Sequence, residues 1–242
     1  MRLNQYSRPP VHYPCAESDS VSDSSAAECF FVEGDSAAKT VDQVRDRRLQ
    51  AILALQGKPL NANRASKRVA GTNEVFLRIA EALIVANDHN LDPPNASHQR
   101  EFLDRLDDVE AIRYHRVVLL MDPDADGIHC GVLMMAFFRR FSPAFIEAGR
   151  LWLVRPPMFL FRFPVGTLPL AESPVAYSPE HADAIEHVLR SRKMTGFKKI
   201  KHRGLGSIDA AVLQLTCIDP QTRHCERLSL SDVDHAIGMF GN

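Results

Sequence analysis

The sequence predicts an α/β fold in which helices flank a parallel sheet, with a small α+β extension towards the carboxyl end. Two observations support this prediction. Short apolar runs alternate with segments of helical spacing, and the strongest run, residues 117–121, is apolar throughout. A run of that kind is typical of a parallel strand covered on both faces. In such sheets the functional residues collect at the carboxyl ends of the strands.

The composition is that of a folded protein rather than a disordered or membrane-spanning one. Of the 242 residues, 45% are hydrophobic, which supports a packed core. No run approaches the roughly 18 apolar residues of a membrane span, and the first residues lack the apolar core of a secretion signal. The five cysteines form no CxxC pair, which disfavours a disulfide framework or a zinc knuckle. We therefore expect a cytoplasmic protein without a membrane partner.

The first 28 residues, rich in proline and then in serine, are expected to form a disordered tail. Order is expected to begin at Cys29, with a short apolar strand that ends at a turn carrying Glu33. Ser36 is then predicted to cap a helix that bears Val41 on its apolar face. This segment therefore predicts a strand, a turn and a helix in succession.

The remaining elements follow from similar patterns. An extended piece after residue 50 is expected to close in the loop GKPLN, and helical spacing covers residues 73–88. After the central strand we expect a helix over residues 129–140, a strand over 150–154 and an amphipathic helix over 179–193.

Three aspartates, Asp122, Asp124 and Asp126, follow the central strand directly and end in glycine. Glu33 also follows a strand, so the sequence predicts that these carboxylates converge at one edge of the sheet. Such oxygen ligands suit Mg²⁺, and close carboxylates repel one another without a cation. An EF-hand is excluded because its twelfth position, counted from Asp122, is Leu133 rather than glutamate. A dehalogenase-type phosphatase would leave the Glu33 motif unexplained.

Six short sequence motifs occur along the chain in a fixed order and point to one protein family. They are CFFVEGDSA, RDRR, QAIL-L-GK-LN, MDPDADGIH, RPPMF and RGLG. Together they resemble the TOPRIM domain, a Rossmann-like fold, of the B subunit of type IIA bacterial topoisomerases. The resemblance covers about residues 26–160 and 203–242. It implies a tail over 1–28, a TOPRIM domain over 29–160, a loosely aligned insert over 161–200 and the carboxyl-terminal part of the B-subunit core over 201–242.

The resemblance implies a role for each matched acidic residue. Glu33 and Asp122 would hold one Mg²⁺ ion and Asp122 and Asp124 a second, with Asp126 supporting the cluster. Metal ions stabilise the charge that phosphoryl transfer develops on oxygen atoms. Glu33 is also the expected general acid or base at the ribose 3′ oxygen.

Basic residues near these motifs are the expected contacts to DNA. Seven basic side chains and one acid lie between residues 45 and 68, which suits binding to phosphates. A second basic run, over residues 190–203, is expected to be a phosphate contact or a solvated cationic face. By the resemblance and this charge count, the expected DNA contacts are Lys58, Asn61, Arg45, Arg47 and Arg203.

The resemblance implies a component that supplies Mg²⁺ for cleaving and resealing double-stranded DNA, while an A subunit provides the catalytic tyrosine. No ATP-binding motif precedes residue 29, so we expect no ATP site here. We count a separate ATPase chain among the partners that this chain could have. Two alternatives stay open. One is a non-enzymatic paralogue that binds DNA or the A subunit as a modulator, and the other is a stand-alone TOPRIM nuclease.

Overall fold

The computed structural model describes residues 9–18, 27–85 and 99–240 of the chain. Within these ranges it contains a six-stranded mixed sheet with helices on both faces and a smaller antiparallel sheet. The predicted α/β fold, a sheet flanked by helices, is confirmed. The strands are β1 (Val11–Tyr13), β2 (Glu28–Val32), β3 (Gln50–Ala54), β4 (Arg116–Leu120), β5 (Leu151–Val154), β6 (Phe159–Arg162), β7 (Val175–Ala176), β8 (Lys198–Lys201) and β9 (Cys225–Arg227).

The larger sheet has the strand order β1-β3-β2-β4-β5-β9. Its four central strands run parallel, as the sequence predicts. The edge strands β1 and β9 pair antiparallel with β3 and β5, which makes the sheet mixed. Because β3, β2 and β4 are neighbours and parallel, the segments that follow them emerge side by side at one edge, the carboxyl edge of the sheet.

The helices are α1 (Asp35–Asp42), α2 (Lys67–Gly71), α3 (Glu74–Leu83), α4 (Gln99–Asp104), α5 (Ala125–Phe141), α6 (Pro143–Glu147), α7 (Pro179–Ser191), α8 (Ala210–Leu213) and α9 (Leu230–Phe240). Helix α3 ends earlier than the predicted residue 88, and residues 86–88 lie outside the described ranges. The predicted cap Ser36 is wrong, because α1 begins at Asp35 and its N-cap is Gly34. None of the helices in the described ranges has the length and apolar character to cross a membrane.

The side chains of the central strands alternate between two helix layers. Phe31 and Leu119 belong to a core shared with α3, α5 and α9, whereas Phe30 and Ile52 face a second core with α1 and α8. Successive strand residues point to opposite faces, so the uninterrupted apolar runs serve both layers. The helices and strands around the carboxyl edge are therefore anchored by cores on both sides.

The smaller sheet has the order β7-β6-β8 and forms a unit with α7. Its core includes Phe161 and Leu189, and Ser178 caps α7 by accepting the His181 N–H. The amphipathic helix predicted over residues 179–193 corresponds to α7. Strand β8 presents its lysines at the edge of this small sheet, where charged side chains discourage pairing with another strand.

The expectation of a disordered tail over residues 1–28 is wrong for residues 9–18 and for Ala27 and Glu28, which are buried at the start of β2. Strand β1 pairs with β3 from Val11 opposite Ala54 to Tyr13 opposite Ile52. A His12 ring nitrogen and the buried Tyr114 hydroxyl are hydrogen-bonded at 2.7 Å. Residues 1–8 and 19–26, the rest of the expected tail before strand β2, lie outside the described ranges.

The segment after residue 201 closes the larger sheet. Strand β9 pairs with β5, and Arg139 of α5 donates to Asp234 of α9 at 2.7 Å. Arg223 donates to both carboxylate oxygens of Glu28, at 2.7 and 2.6 Å, and both side chains are almost fully buried. Because Glu28 begins β2, this ion pair ties the centre of the sheet to the carboxyl-terminal segment.

A carboxylate site at the carboxyl edge of the sheet

Glu33 and Asp122 meet at the carboxyl edge of the sheet, where they follow β2 and β4. The backbone N–H of Asp122 donates to Glu33 Oε1 at 2.9 Å. Asp122 Oδ1 in turn accepts the backbone N–H of Leu205 at 2.8 Å. The RGLG segment thus reaches the same edge and orients the Asp122 side chain.

Asp124 and Asp126 lie at the start of α5, next to this pair. Asp124 Oδ1 accepts the Gly127 N–H at 2.8 Å and so caps the helix. Asp126 Oδ1 accepts a bond from Lys58 Nζ at 2.7 Å, and both side chains are exposed. In the described residues, no group of three His, Cys, Asp or Glu side chains is arranged so that it could hold a metal ion. All four predicted carboxylates instead accept hydrogen bonds from protein donors.

Two glycines make this packing possible. A Cβ atom at Gly127 would overlap the Asp122 carbonyl oxygen and would lie 2.6 Å from Glu33 Oε1. A Cβ atom at Gly204 would lie 2.6 Å from Asp122 Oδ2. Contacts that short do not occur for a real Cβ. Gly127 is therefore needed for close approach to the Asp122 backbone, whereas a side chain at Gly204 would displace the Asp122 carboxylate.

The site concentrates negative charge. Burial raises the pKa of the Glu33 carboxyl, and the charges of Asp122, Asp124 and Asp126 raise it further. Burial and the neighbouring Asp124 raise the pKa of Asp122 as well. The hydrogen bond from Lys58 instead lowers the pKa of Asp126. Glu33 and Asp122, the two half-buried members of the site, therefore carry charges that burial and their acidic neighbours disfavour.

The loop after β3 brings Lys58 to this edge, but the structure gives Asn61 a different contact. Asn61 Oδ1 accepts the backbone N–H groups of Asn63 and Arg64, at 3.0 and 3.3 Å, and so fixes the turn that follows Lys58. Arg203, the first residue of RGLG, is exposed beside the segment that holds Asp122. Lys58 is thus bonded to one of the carboxylates, and Arg203 lies two residues before Leu205, whose N–H binds Asp122.

Arg45 and Arg47 lie at the opposite edge, before the start of β3. The side chain of Arg45 is only 6% exposed, and it binds Asp42 at 2.8 Å and the Pro14 carbonyl at 3.0 Å. Arg47 is paired with Asp42 at 2.6 Å. Arg45 is therefore a structural residue that joins α1 to the segment after β1, and the expectation that it contacts DNA is withdrawn.

Comparison with known protein families decides the assignment. A family model described as "Toprim domain" matches residues 28–156, which is more than half of the chain. The chain belongs to the Toprim domain family. The resemblance seen in the six sequence motifs and in the fold is thereby confirmed, and the carboxyl edge described above is the edge of a Toprim sheet.

Curated relatives of this Toprim chain are B subunits of bacterial-type topoisomerases. The DNA gyrase B subunit of Thermus thermophilus is 32% identical over 216 residues, which are 88% of this chain and 30% of that protein. The DNA topoisomerase 4 B subunit of Francisella tularensis is 30% identical over 213 residues, again 88% of this chain and 30% of the relative. The chloroplastic/mitochondrial DNA gyrase B subunit of Oryza sativa is 31% identical over 99% of this chain and 29% of its own length. The chain thus spans less than a third of these relatives.

The donors at the Toprim edge suit Mg²⁺ chemically. Its carboxylate oxygens are the ligands this ion prefers, and a divalent cation would offset the negative charges that Asp122, Asp124 and Asp126 place around Glu33. The residues therefore fit the ion, on condition that the second oxygens of Glu33, Asp122 and Asp124, which the bonds described above do not use, turn towards a common point.

Sequence reasoning misses two parts of this Toprim site. The first is the Leu205 N–H, which holds Asp122 but lies beyond the family match. The second is Arg140 at the end of α5, whose guanidinium binds the carbonyl oxygens of Ala62 and Ala65 and anchors the loop after Lys58. Backbone groups and long-range contacts of this kind leave no pattern in a single sequence, although a glycine early in a helix, such as Gly127, is a signal of close approach.

Proposed function

We propose that this chain is the Mg²⁺-binding part of a type IIA topoisomerase B subunit. It would assist the cleavage and religation of double-stranded DNA with an A subunit that carries the catalytic tyrosine, while ATP hydrolysis belongs to a separate ATPase part. The observation that carries the proposal is the meeting of Glu33 and Asp122, joined at 2.9 Å, in a Toprim chain related to gyrase and topoisomerase 4 B subunits.

The proposed metal ligands are Glu33 and Asp122 for one Mg²⁺ ion and Asp122 and Asp124 for a second, with Asp126 beside them. When bound, Mg²⁺ would stabilise negative charge that develops on the phosphate oxygens. The chain itself contributes a fixed arrangement of these groups. Leu205 orients Asp122 through its N–H, and the helix cap positions Asp124 at the start of α5.

Glu33 is the residue proposed to move a proton at the ribose 3′ oxygen. Its Oε1 accepts the Asp122 N–H, which orients the carboxyl group, and we assign proton transfer to Oε2. Burial among other carboxylates raises the pKa of Glu33. A raised pKa brings the protonated form closer to neutral pH, where a general acid is most effective.

Lys58 and Arg203 are the proposed phosphate contacts, because both are exposed cations at the edge that holds the carboxylates. Arg47 also remains a proposed contact, although it would have to leave Asp42 and lies at the other edge of the sheet. The described contacts of Asn61 support a structural role in the loop, so its proposed contact with DNA is the weaker one.

The test is DNA cleavage by the chain mixed with a gyrase A subunit, Mg²⁺ and a drug that traps the broken strand. We expect linear plasmid that disappears with a chelator, and at least about a hundredfold less of it with Glu33→Gln, since acid–base catalysis contributes about 10² or more. Glu172→Gln, which removes an exposed carboxylate in the insert, is the matched control. No cleavage beside a complete enzyme that cuts would contradict the proposal, and nicking without the A subunit would indicate a nuclease.

A non-enzymatic modulator is the second candidate. It is favoured by the finding that the described residues hold no ready-made group of three metal-binding side chains. In this case the chain would bind the A subunit or DNA, and substituting both Asp122→Ala and Asp124→Ala would leave that binding and any cellular effect unchanged. Loss of the cellular effect in the double variant would exclude a role without metal.

A further inference from the structure

Two ion pairs lie at opposite edges of the larger sheet, and they differ in exposure. Glu28 and Arg223 are 4% and 1% exposed, so breaking their pair would leave a buried charge without compensation. Asp126 and Lys58 are 74% and 46% exposed, so water can replace either partner at little cost. The pair beside the carboxylate site is therefore the one that can exchange partners.

The turn before Lys58 is built to present this residue to the site. Gln56 and Gly57 both have positive φ angles, of 61° and 122°, so the chain reverses sharply after β3. The Gly57 N–H donates to the Glu33 carbonyl at 3.2 Å, and the Gln56 side chain donates to Asp35. The backbone of the turn is thus fixed to the Glu33 segment, whereas the Lys58 side chain is free to change its partner.

Lys58 supplies positive charge where the site needs it. Among the described residues, Lys58 is the cation that forms an ion pair with one of the four site carboxylates, and its partner is Asp126. The hydrogen bond to Asp126 raises the pKa of the Lys58 ammonium, and the charge of Glu33 adds a smaller effect in the same direction. A divalent cation at the same edge would offset the negative charge of the carboxylates more strongly than one ammonium group, and it would repel the Lys58 ammonium.

We propose that Lys58 is the internal counter-ion of the metal-free site, and that Mg²⁺ displaces it from Asp126 and releases its ammonium to a DNA phosphate. The inference rests on the proposed function and adds a coupling to it. Metal binding would strengthen DNA binding through a residue that is not itself a metal ligand, because one more cation becomes available to the DNA backbone.

The first test measures the affinity of the full chain for Mg²⁺ alone by calorimetry. Lys58→Met removes the competing ammonium and is expected to tighten Mg²⁺ binding about threefold, within the range for an exposed ion pair. Lys58→Arg keeps the charge and should restore the wild-type affinity. Arg78→Met is the matched control, because Arg78 and Glu81 form a similarly exposed pair on α3 and should have no influence.

The second test measures how DNA binding by the full chain depends on salt, with and without Mg²⁺. Each additional phosphate contact steepens the slope of log K against log salt concentration by about 0.9. We expect that increment on adding Mg²⁺ to the wild type and no increment with Lys58→Met. Asp126→Asn frees Lys58 in advance, so its slope should already be steep without metal and should not change when metal is added.

The outcomes separate this inference from the function on which it rests. The displacement of Lys58 would be overturned, even if DNA is cleaved, by equal Mg²⁺ affinities of the wild type and Lys58→Met. It would also be overturned by a wild-type salt slope that is the same with and without Mg²⁺. Tighter Mg²⁺ binding by Lys58→Met together with a metal-dependent slope would support it even if no cleavage is found with an A subunit. A wild-type chain that binds no Mg²⁺ would contradict both.

Discussion

Gly127 sets how closely α5 approaches the strand that delivers Asp122. It lies in the first turn of the helix, where its N–H also bonds the capping Asp124. A side chain at this position would collide with the Asp122 backbone, which cannot move without shifting β4. At Gly131, one turn later, a Cβ atom would make an ordinary van der Waals contact, since the nearest atom outside the helix would be Met121 Cγ at 3.6 Å.

These two glycines give a matched pair of substitutions. Gly127→Ala is expected to lower the free energy of unfolding by about 3 kcal/mol, the upper range for overpacking a tight site. Thermal unfolding should then occur about 6 to 12 °C lower. Gly131→Ala should leave the melting temperature unchanged or raise it slightly, because alanine favours a helix over glycine by about 1 kcal/mol. Equal melting temperatures of the two variants would contradict the collision at Gly127.

At the residue scale, the sequence predicts which groups come together better than it predicts their partners. Glu33 and Asp122 each follow an apolar run, so their meeting follows from strand order alone. The pairing of Lys58 with Asp126 joins segments that are 68 residues apart in the sequence. Arg45 has a local bond to Asp42 and is also held by the Pro14 carbonyl, 31 residues away. Charge counts along a sequence cannot show which cations are already neutralised.

Among the elements, α5 connects the site to the loop that carries Lys58. Its 17 residues span about 25 Å, with the aspartates at one end and Arg140 at the other. Arg140 binds the carbonyl oxygens of Ala62 and Ala65, the latter at 2.7 Å, so the helix supports both ends of the loop. The loop therefore depends on the helix for its position.

Arg140→Met is expected to loosen this loop without unfolding the chain. Hydrogen bonds from a charged donor contribute about 1.5 to 3 kcal/mol, so local opening should become at least about tenfold more frequent. Trypsin reports this opening, because Arg64, Lys67 and Arg68 are exposed cleavage sites in and after the loop. Cleavage there should be faster by the same factor when fragments are followed by mass spectrometry.

Arg139→Met is the control for this experiment. Arg139 is the neighbouring residue, but it pairs with Asp234 of α9 at 2.7 Å and does not contact the loop in the described structure. Its substitution should leave cleavage after residues 64, 67 and 68 at the wild-type rate. Equal acceleration by both variants would show that general loosening of α5, rather than the Arg140 anchor, controls the loop.

A strand or helix is predicted well when its own residues define it. The central strands and α7 lie close to their predicted positions because apolar period and capping residues define them. Helix α5 begins at Ala125 rather than at residue 129, since Asp124 serves as a cap as well as a candidate ligand. Strand β1 has no signal in the local sequence, because its three residues gain their structure from pairing with the distant β3.

At the scale of the whole molecule, the Glu28–Arg223 pair is a buried ionic link between the sheet and the carboxyl-terminal segment. Arg223 also donates to the Ile218 carbonyl at 3.1 Å, and Gln50 donates to Glu28 at 2.8 Å. The group is buried, so the desolvation of its charges is offset by several hydrogen bonds at once. Removing one member is costlier than removing two.

Glu28→Leu is expected to lower the free energy of unfolding by about 3 to 5 kcal/mol, because it leaves the Arg223 charge buried and uncompensated. The double variant Glu28→Leu with Arg223→Met should recover much of this loss, which urea denaturation would show as a higher midpoint. Arg48→Met, which breaks an exposed pair with Glu17, should change stability by less than about 1 kcal/mol. A double variant as unstable as the sum of the two single variants would rule out the coupling.

The hydrogen bond from Leu205 to Asp122 shows that the family match and the complete carboxylate site end at different residues. The family match stops at residue 156, yet the N–H that orients Asp122 comes from residue 205. A protein trimmed to residues 28–156 would keep all four site carboxylates but would lose the Leu205 N–H that orients Asp122. Truncation designs should therefore follow the hydrogen bonds of the site, and not the limits of the recognisable domain.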